Sequence, residues 1–410
     1  MKILVLNSGS SSQKTAVFEL DKNSPPEPIA PLWEGKLQWD GKKEELRIRR
    51  HDGQEVRREK VAAKHEDSVA AMLEEAWNGP TCVLSSRGEI AVAGHRIVHG
   101  GSKLTQPTRI TPEVKQEIDK VSSIAPLHNQ AGLGGIELIE KLLPGIPQVA
   151  VFDTGFHRTL PPEAFTYPLP FSWYERDGIR RYGFHGINHE YCAHRAAQLL
   201  SRELSSLKII SCHLGNGCSL CAINGGKSID TTMGFTPLEG LMMGTRSGSV
   251  DPGILIHLLK DTERLPSAEN LDYALNHESG LLGVSGLSSD LRDILEAMKQ
   301  RNDRARLAFD IFVHRLCLEI GAMAASLGGL DVLVFTAGIG ENSAEVRAAA
   351  CSKLSFLGMQ LDHQKNSSAR ADADISAAGS KIGVLVIRAQ EDWAIARECL
   401  RFSQVTAQNS

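Results

Sequence analysis

The stretch KILVLNSGSSSQKTAVFEL (2–20) decides the fold, because it places a polar turn of small residues between two apolar segments. A second stretch of the same kind, KIISCHLGNGCSLCAING (208–225), follows about half a chain later. Small residues let backbone N–H groups approach a ligand closely, and such amides bind phosphate oxygens together with Ser and Asn side chains. One such hairpin is weak evidence, but two at matching places predict a duplicated fold that binds one polyphosphate.

The composition is typical of an ordinary globular protein. The chain has 410 residues, 42% of them hydrophobic and 23% charged, with a net charge of −4. This length exceeds the usual size of one core and predicts two domains. The sequence has no long basic block and no apolar run near the ~20 residues that span a bilayer, so we expect neither nucleic acid nor membrane as a partner. Eight scattered cysteines fit no disulfide framework and favour a cytoplasmic location.

Strand-like and helical segments alternate through both halves of the chain. Those predicted in the first half lie at 36–55 (strand at a sheet edge), 65–77 (helix), 89–101 (strand), 111–123 (helix) and 146–157 (strand). Those of the second half, after its hairpin, lie at 303–327 (helix), 331–347 (strand, turn and helix start) and 383–397 (strand and helix). The pattern predicts an α/β fold with a sheet and helices in each half and a cleft between the halves.

Three motifs resemble known sites but fail on their context. GGKS (225–228) has Cys221 where a Walker A loop needs its first glycine, and it lies in a predicted hairpin turn. His189 and His194 are five residues apart, whereas zinc-binding HExxH helices place their histidines four apart. Cys218 and Cys221 form a CxxC inside a strand without a second pair, which favours structural thiols.

Two arginines and one histidine lie beside glycines that would let the backbone fold around an anion. Arg96 is in GHRIVHGG, Arg246 is in MGTRSGSVDPG, and His185 is in RYGFHGINH. We expect the two arginines, from opposite halves, to converge on one anionic site. A lone histidine is more often structural, and a GxG turn such as TAGIGENS (336–343) is weak evidence for nucleotide binding when taken alone.

Taken together, these segments resemble the acetate kinase family, part of the superfamily of sugar kinases, heat-shock chaperone ATPases and actin. The similarity runs from Met1 to about Arg397. Its motifs are NSGSSSQK (7–14), GHRIVHGG (94–101), APLHN (125–129), VFDTGFH (151–157), RYGFHG (181–186), HLGNGCS (213–219), MGTRSG (243–248), DPG (251–253), SSDLRD (288–293) and TAGIGEN (336–342).

The resemblance implies roles for individual residues. The catalytic groups would be Asn7, Arg96, Asp153, His185 and Arg246. The metal ligands would be Asn7, Asp153 and Glu391. The nucleotide and its phosphates would contact Ser10, Ser12, Lys14, His213, Leu214, Gly215, Asn216, Gly217, Asp290, Leu291, Arg292, Gly338, Ile339, Gly340, Glu341 and Asn342. The acyl group would contact Val98, Leu127, Phe184 and Pro237, with Arg96 at its carboxylate.

The resemblance also implies an architecture and a reaction. The fold would be two duplicated RNase H-like (actin-like ATPase) domains with an interdomain active-site cleft. The first would cover 1–152 with a returning segment 391–410, and the second, nucleotide-binding domain would cover 153–390. The reaction would be reversible in-line phosphoryl transfer from ATP to acetate, giving acetyl phosphate and ADP, with Mg²⁺ (or Mn²⁺ in its place). The family further implies a homodimer and a part in acetyl-CoA biosynthesis.

Other readings of the sequence stay open. A propionate or butyrate kinase of the same family would differ only in the volume near Val98 and Pro237. A sugar or polyol kinase would need a carboxylate base, which Asp153 could supply, but the two arginines favour an anionic acceptor. A non-catalytic actin-like or chaperone-like ATP-binding module would need a polymer or peptide surface, for which no segment is left over. The sequence departs from the family at RAQED (388–392), where a TNEE-like stretch is usual.

Overall fold

A computed structural model of the chain describes residues 1–9, 12–39, 43–61, 65–122, 126–260, 267–370 and 372–408. Within these ranges, the side chains of 60, 61, 65, 126–128 and 405–408 are not described. The described chain forms two compact units. The first unit contains Met1–Phe156, Gly186–Asn188 and Gln390–Ser410, and the second contains His157–His185 and His189–Ala389. The domain limits expected from the sequence stay a prediction.

The first unit contains a mixed sheet. Its strands are β1 (Lys2–Ser8), β2 (Ser12–Glu19), β3 (Trp33–Trp39), β4 (Lys43–Arg50), β5 (Glu55–Val61), β6 (Ile90–Ile97), β7 (Thr108–Arg109) and β8 (Gln148–Phe152). Their order is β5-β4-β3-β2-β1-β6-β8-β7, in which β1, β6 and β8 are parallel and the remaining neighbours antiparallel. The predicted edge at 36–55 is therefore built from three strands. In β4, buried and exposed residues alternate as its sequence predicts.

The second unit contains a sheet of the same design. Its strands are β9 (Lys208–Leu214), β10 (Cys218–Asn224), β11 (Lys227–Thr231), β12 (Val332–Thr336), β13 (Ala373–Asp374) and β14 (Gly383–Val386). Their order is β11-β10-β9-β12-β14-β13, with β9, β12 and β14 parallel. Each sheet thus contains an antiparallel hairpin whose first strand pairs with a parallel strand, and that strand pairs in turn with a second parallel strand. The duplication predicted from the two polar turns is confirmed at the level of strand order.

Helices lie between the strands in both units. They are α1 (His65–Glu74), α2 (Pro112–Lys120), α3 (Pro126–Leu142), α4 (Pro162–Phe165), α5 (Phe171–Asp177), α6 (Gly186–Leu199), α7 (Pro252–Leu259), α8 (Ala268–His277), α9 (Gly280–Ser285), α10 (Leu291–Lys299), α11 (Asp303–Leu327), α12 (Ala337–Asn342), α13 (Ala344–Lys353), α14 (His363–Ser368) and α15 (Glu391–Gln408). Short 3-10 turns lie at Arg87–Glu89, Gly155–Thr159, Leu204–Ser206 and Ser355–Leu357. In the described part of the chain, none of the helices is both long and apolar enough to cross a membrane.

Local sequence signals explain where several of these helices begin and end. The Thr111 hydroxyl accepts a hydrogen bond from Val114 N at 3.3 Å, and Pro112 opens α2, as the sequence predicts. Asn302 caps α11 in the same way through Ala305 N, at 2.9 Å. That helix ends at Gly328, whose φ of 60° suits a residue without a side chain.

The cores lie where these helices cover the sheets. In the first unit, α3 and α15 pack against β1 and β6. A Cβ at Gly94 would lie 2.5 Å from Cys399 Sγ, so glycine in β6 allows α15 to approach. In the second unit, α11 packs against β9, β10 and β11. This packing fixes the ends of the central strands, which is where the candidate site residues are found.

Candidate functional site

The polar turn of the first unit joins β1 to β2. Gly9 N donates to Ser12 O at 2.8 Å, which closes the turn, and Asn7 pairs across the hairpin with Lys14. Asn7 is buried, Ser12 is half-buried and Lys14 is exposed. Ser10 lies outside the described residues. Asn7 and Ser12 therefore lie on the two sides of this turn, near the carboxyl end of β1 and at the start of β2.

Arg96 is the centre of a polar cluster in the first unit. It lies near the end of β6, and Asp153 directly follows the neighbouring strand β8. The guanidinium donates to Asp153 Oδ2 from Nε at 3.0 Å and from Nη2 at 2.5 Å, and its Nη1 donates to Asn7 Oδ1 at 3.1 Å. Because parallel strands end at the same edge of a sheet, three residues distant in sequence meet there.

Glu391 and Asp392, at the start of α15, complete this cluster. Asn7 Nδ2 donates to Glu391 Oε2 at 3.0 Å and to Asp392 Oδ1 at 2.8 Å. Burial alone would lower the pKa of Arg96, but attraction to Asp153 and Glu391 outweighs it, so the pKa is raised and the side chain stays charged. Burial raises the pKa of Asp392. The sequence reasoning missed Asp392, although its place beside Glu391 in RAQED was a usable signal.

The same cluster fits a small hard cation. In the described residues, no three Asp, Glu, His or Cys side chains come together as a ready metal site. Mg²⁺, however, is usually bound by one or two carboxylates together with waters and substrate phosphates. Glu391 and Asp392, which both accept hydrogen bonds from the Asn7 amide, supply carboxylate oxygens of that kind.

The polar turn of the second unit lies between β9 and β10. Gly215 N donates to Gly217 O at 3.0 Å, and Gly244 N donates to Asn216 O at 3.0 Å. His213 and Leu214 precede the turn and are buried, so Leu214 could face a ligand only through its backbone. Backbone hydrogen bonds within this turn and from Gly244 therefore hold it in place.

Arg246 and His185 lie beside this second turn. A Cβ at Gly217 would lie 3.5 Å from Arg246 Nη1 and 3.6 Å from His185 Cε1, so both side chains face the same backbone. Arg246 Nη1 donates to Pro237 O at 3.1 Å. Burial lowers the pKa of Arg246, and only the nearby Cys218 opposes that effect. Within the described residues, Arg246 forms no ion pair, in contrast to Arg96.

His185 has an unusual backbone and a stacked ring. Its φ of 55° lies in the left-handed region, which is strained for a non-glycine residue, and it precedes the first residue of α6. Its ring stacks on that of His213, with centroids 4.0 Å apart and planes 7° apart. Its Nδ1 lies 2.8 Å from the Ser219 hydroxyl. Strain and ordered contacts of this kind often occur at functional sites.

The other predicted nucleotide contacts lie on two further segments of the second unit. Residues 338–342 are in the short helix α12, whose carbonyls at Gly340 and Glu341 accept hydrogen bonds from buried Arg347, each at 2.9 Å. Asp290 caps α10 and pairs with the exposed Arg292, while Leu291 is buried. No motif in the sequence indicated that Arg347 supports α12.

The residues predicted to contact the acyl group fall in both units. Val98, directly after β6, belongs to the first unit and is buried. Phe184 and Pro237 belong to the second unit, where Phe184 is buried and Pro237 half-buried. The side chain of Leu127 lies outside the described residues. The acyl pocket therefore stays a prediction.

The fold and these two clusters define the class of protein: two duplicated actin-like ATPase domains, each with a polar, phosphate-type turn between its first two strands. Comparison with known families gives a match to the Acetokinase family over residues 2–397. The chain belongs to this family, and the resemblance deduced from its motifs is confirmed.

Relatives and solved structures agree along nearly the whole chain. An acetate kinase of Gloeobacter violaceus is 57% identical over 408 residues, which cover 97% of this chain and 98% of the relative. A Cyanothece acetate kinase is 54% identical and covers 100% of both. The crystal structure of Porphyromonas gingivalis acetate kinase has a TM-score of 0.88, 41% identity and coverage of 98% and 99%. A Francisella tularensis propionate kinase has a TM-score of 0.87, 36% identity and coverage of 97% and 98%.

Proposed function

We propose that this chain is an acetate kinase, which transfers a phosphoryl group in line from ATP to acetate and gives acetyl phosphate and ADP reversibly. The observation that carries the proposal is the contrast between its two arginines. Arg96 is paired with carboxylates, whereas none of the described residues forms an ion pair with Arg246, which lies beside a phosphate-type turn. The family membership and the relatives named acetate kinase support acetate over longer acids or polyols.

The acceptor needs charge compensation rather than a base. Acetate is already ionised at neutral pH, since carboxyl groups of this kind have pKa values of roughly 4 to 5. The obstacle is the repulsion between this anion and the γ-phosphate. We assign Arg96 to the acetate carboxylate and Arg246 to the phosphoryl oxygens, because the planar guanidinium pairs bidentately with such groups.

The remaining polar groups stabilise the transition state. Its charge spreads over three equatorial oxygens of the transferred group. In this proposal His185 and Asn216 donate hydrogen bonds to those oxygens, and Ser10, Ser12 and Lys14 bind the phosphates from the first turn. Loss of one preorganised donor typically costs about 10²–10³ in rate.

Asn7, Asp153 and Glu391 would bind Mg²⁺, or Mn²⁺ in its place, and Asp392 would join them as a further oxygen ligand. When bound, the ion neutralises charge on the phosphate oxygens. Asn7 has a positioning role as well, because its amide connects Arg96 to Glu391 and Asp392. The adenosine would lie along 213–217, 290–292 and 338–342.

We further propose that the chain acts as a homodimer in the cytoplasm. The eight cysteines, all in the described part of the chain, are free thiols, which suits a reducing compartment. On the second unit, α7 has no buried residue and exposes Ile254, Ile256 and Leu259. Exposed apolar helices of this kind are commonly covered by a partner. Light scattering of the wild type should give twice the mass of one chain. The Ile256→Glu variant should give the mass of a single chain, because a charge on α7 would prevent association.

The test of the proposed function is trapping of the acyl phosphate with hydroxylamine. Mg·ATP is supplied with acetate, propionate, butyrate or glycerol in parallel, and a control contains EDTA. We expect acetate to react best and no product without metal. A preference for propionate or butyrate would move the assignment to a longer-chain acyl kinase. ADP release with glycerol but no acyl phosphate would overturn it in favour of a polyol kinase.

A further inference from the structure

A chain of buried hydrogen bonds leads to His185 inside the second unit. The Ser219 hydroxyl lies 2.8 Å from His185 Nδ1 and 2.8 Å from His189 Nε2. The other nitrogen of His189, Nδ1, lies 3.0 Å from the Ser211 hydroxyl. Ser211, Ser219 and His189 are fully buried. None of these three residues has a role in the function proposed above.

The sheet and the helix together create this alignment. Ser219 on β10 pairs with His213 on β9, and alternation places Ser211 on the same face two residues earlier. His185 directly precedes α6 and His189 lies in its first turn, and the centroids of their rings are 6.5 Å apart. Ser219 can therefore contact both rings at once.

Counting protons leaves two arrangements. A serine hydroxyl has one proton, and among the described residues the two rings are the only hydrogen-bond partners of the Ser219 hydroxyl. A buried hydroxyl needs an acceptor, so Ser219 donates to one ring and accepts from the other. Burial, with the neighbouring His157 and His213, lowers the pKa of His189 well below its ordinary value, so this ring is neutral and has one N–H. All hydrogen bonds in the chain must then point either toward His185 or away from it.

The surroundings of His185 favour the arrangement in which the hydrogen bonds point toward His185. A positive charge on its ring would lie beside the Arg246 guanidinium at Gly217 and in a stack with His213, where like charges repel. With a neutral ring, donation to a phosphoryl oxygen requires the proton on Nε2. Nδ1 must then accept a hydrogen bond, and Ser219 is the group placed to donate it.

We propose that Ser219 is a positioning residue that keeps His185 in the Nε2–H tautomer, through hydrogen bonds directed from Ser211 to His189, to Ser219 and to His185. This inference rests on the proposed role of His185 as a donor to the transferred phosphoryl group. Without Ser219 the Nδ1–H tautomer would become accessible, and its Nε2 lone pair would face the phosphate oxygens.

The tautomer can be read without any substrate. The full chain is labelled with ¹⁵N-histidine, and long-range ¹H–¹⁵N spectra report which ring nitrogen carries the proton. His185→Gln identifies the signals of His185 by their loss. We expect a protonated Nε2 and an accepting Nδ1 in the wild type, and shifts typical of mixed tautomers in Ser219→Ala. A wild-type ring protonated on Nδ1, or an unchanged tautomer in Ser219→Ala, would overturn the proposal.

Kinetics provide the second readout. Loss of one directed hydrogen bond should lower kcat of Ser219→Ala about tenfold and leave both KM values within about twofold. Ser211→Ala should change tautomer and kcat in the same direction but less. Ser228→Ala is the matched control, since Ser228 is equally buried and lies 2.8 Å from Nδ1 of another histidine, His157.

The two hypotheses can fail separately. A wild-type chain that forms no acyl phosphate would contradict the proposed function, while its spectra would still test the tautomer. Full kcat in Ser219→Ala, or an equal loss in Ser228→Ala, would show that Ser219 has no specific influence on His185.

Discussion

Arg96 and Arg246 are the same residue type in two sheets of the same design, yet their surroundings differ. Arg96 donates twice to Asp153 and once to Asn7, with Glu391 at 4.0 Å. Arg246 donates to the carbonyl of Pro237, and among the described residues no carboxylate pairs with it. Accordingly the pKa of Arg96 is raised and that of Arg246 lowered.

The difference separates two functions of a buried charge. Burying an unpaired cation is costly, so a protein normally pairs it. Arg96 follows this rule, and much of its interaction energy stabilises the first unit. Arg246 departs from the rule, and its charge is available to an anionic ligand. We infer that Arg246 is the stronger contributor to phosphoryl binding and Arg96 the stronger contributor to stability.

The largest expected effect is on turnover of Arg246→Ala. Because the variant removes the positive charge beside the second polar turn, kcat should fall about 10³-fold. The variant should remain at least as stable as the wild type, because a desolvated charge has been removed. Acyl phosphate formation and urea unfolding measure the two quantities. Arg202→Ala, an exposed arginine of the same unit, should leave both unchanged, and a mild kcat loss in Arg246→Ala would contradict the assignment.

Arg96→Ala should instead destabilise the chain. The substitution leaves the fully buried Asp153 without its cation, and breaking such a pair typically costs about 3–5 kcal/mol. Urea unfolding should show this loss, which Arg246→Ala lacks. The double variant Arg96→Ala/Asp153→Ala should recover much of the stability, because neither charge remains. Equal stability of the two single arginine variants would invalidate the comparison.

The sequence predicted the duplicated hairpins, helix 303–327 and the apolar strands that follow the hairpins, although not their parallel direction, because alternating or continuous apolar segments and capping residues are local signals. It did not predict α3 or the short helices α7 to α10. In α10, however, the buried residues Leu291, Ile294 and Ala297 recur at helical spacing, so a local signal was present there and was overlooked. The edge at 36–55 was recognised as strand, but its division into three strands depends on pairing between distant residues.

The site was predicted unevenly for the same reason. Glycine-rich motifs indicated Arg96 and Arg246, but nothing in GHRIVHGG or MGTRSG shows that one arginine meets a carboxylate and the other does not. That difference arises because Asp153 follows the strand beside β6. Asp392, Ser219 and Arg347 were missed since their roles depend on contacts across the fold.

The pKa values of the two arginines shift in opposite directions, but those of the buried histidines shift in the same direction in both units. Within the described chain, burial lowers the pKa of His95 and His99 to about 4 in the first unit and that of His157 to about 4 in the second. As pH falls below 6.5, the unfolded chain takes up these protons before the folded chain does. The free energy of unfolding should therefore be highest above pH 6.5. It should decrease toward pH 4 by about 1.4 kcal/mol per pH unit for each histidine.

Urea unfolding at pH 7.5, 6 and 5 tests this dependence. His95→Gln should reduce the dependence of the unfolding free energy on pH by the contribution of one histidine. Glutamine can still form a hydrogen bond with Gln148 but takes up no proton. A stability that does not change between pH 7.5 and 5 would show that these rings are protonated equally in both states.

The smallest effect should come from the loop that orients Arg246. Tyr167 donates to Glu239 and accepts from Phe235 N at 2.9 Å, so its hydroxyl fastens the segment that includes Pro237. Tyr167→Phe should loosen the Pro237 carbonyl and lower kcat about fivefold, since one hydrogen bond contributes roughly 1 kcal/mol. Tyr273→Phe, at an exposed site of the same unit, is the matched control. If both variants keep full kcat, this loop does not orient Arg246. The view that the protein itself positions Arg246 for its ligand would then be wrong.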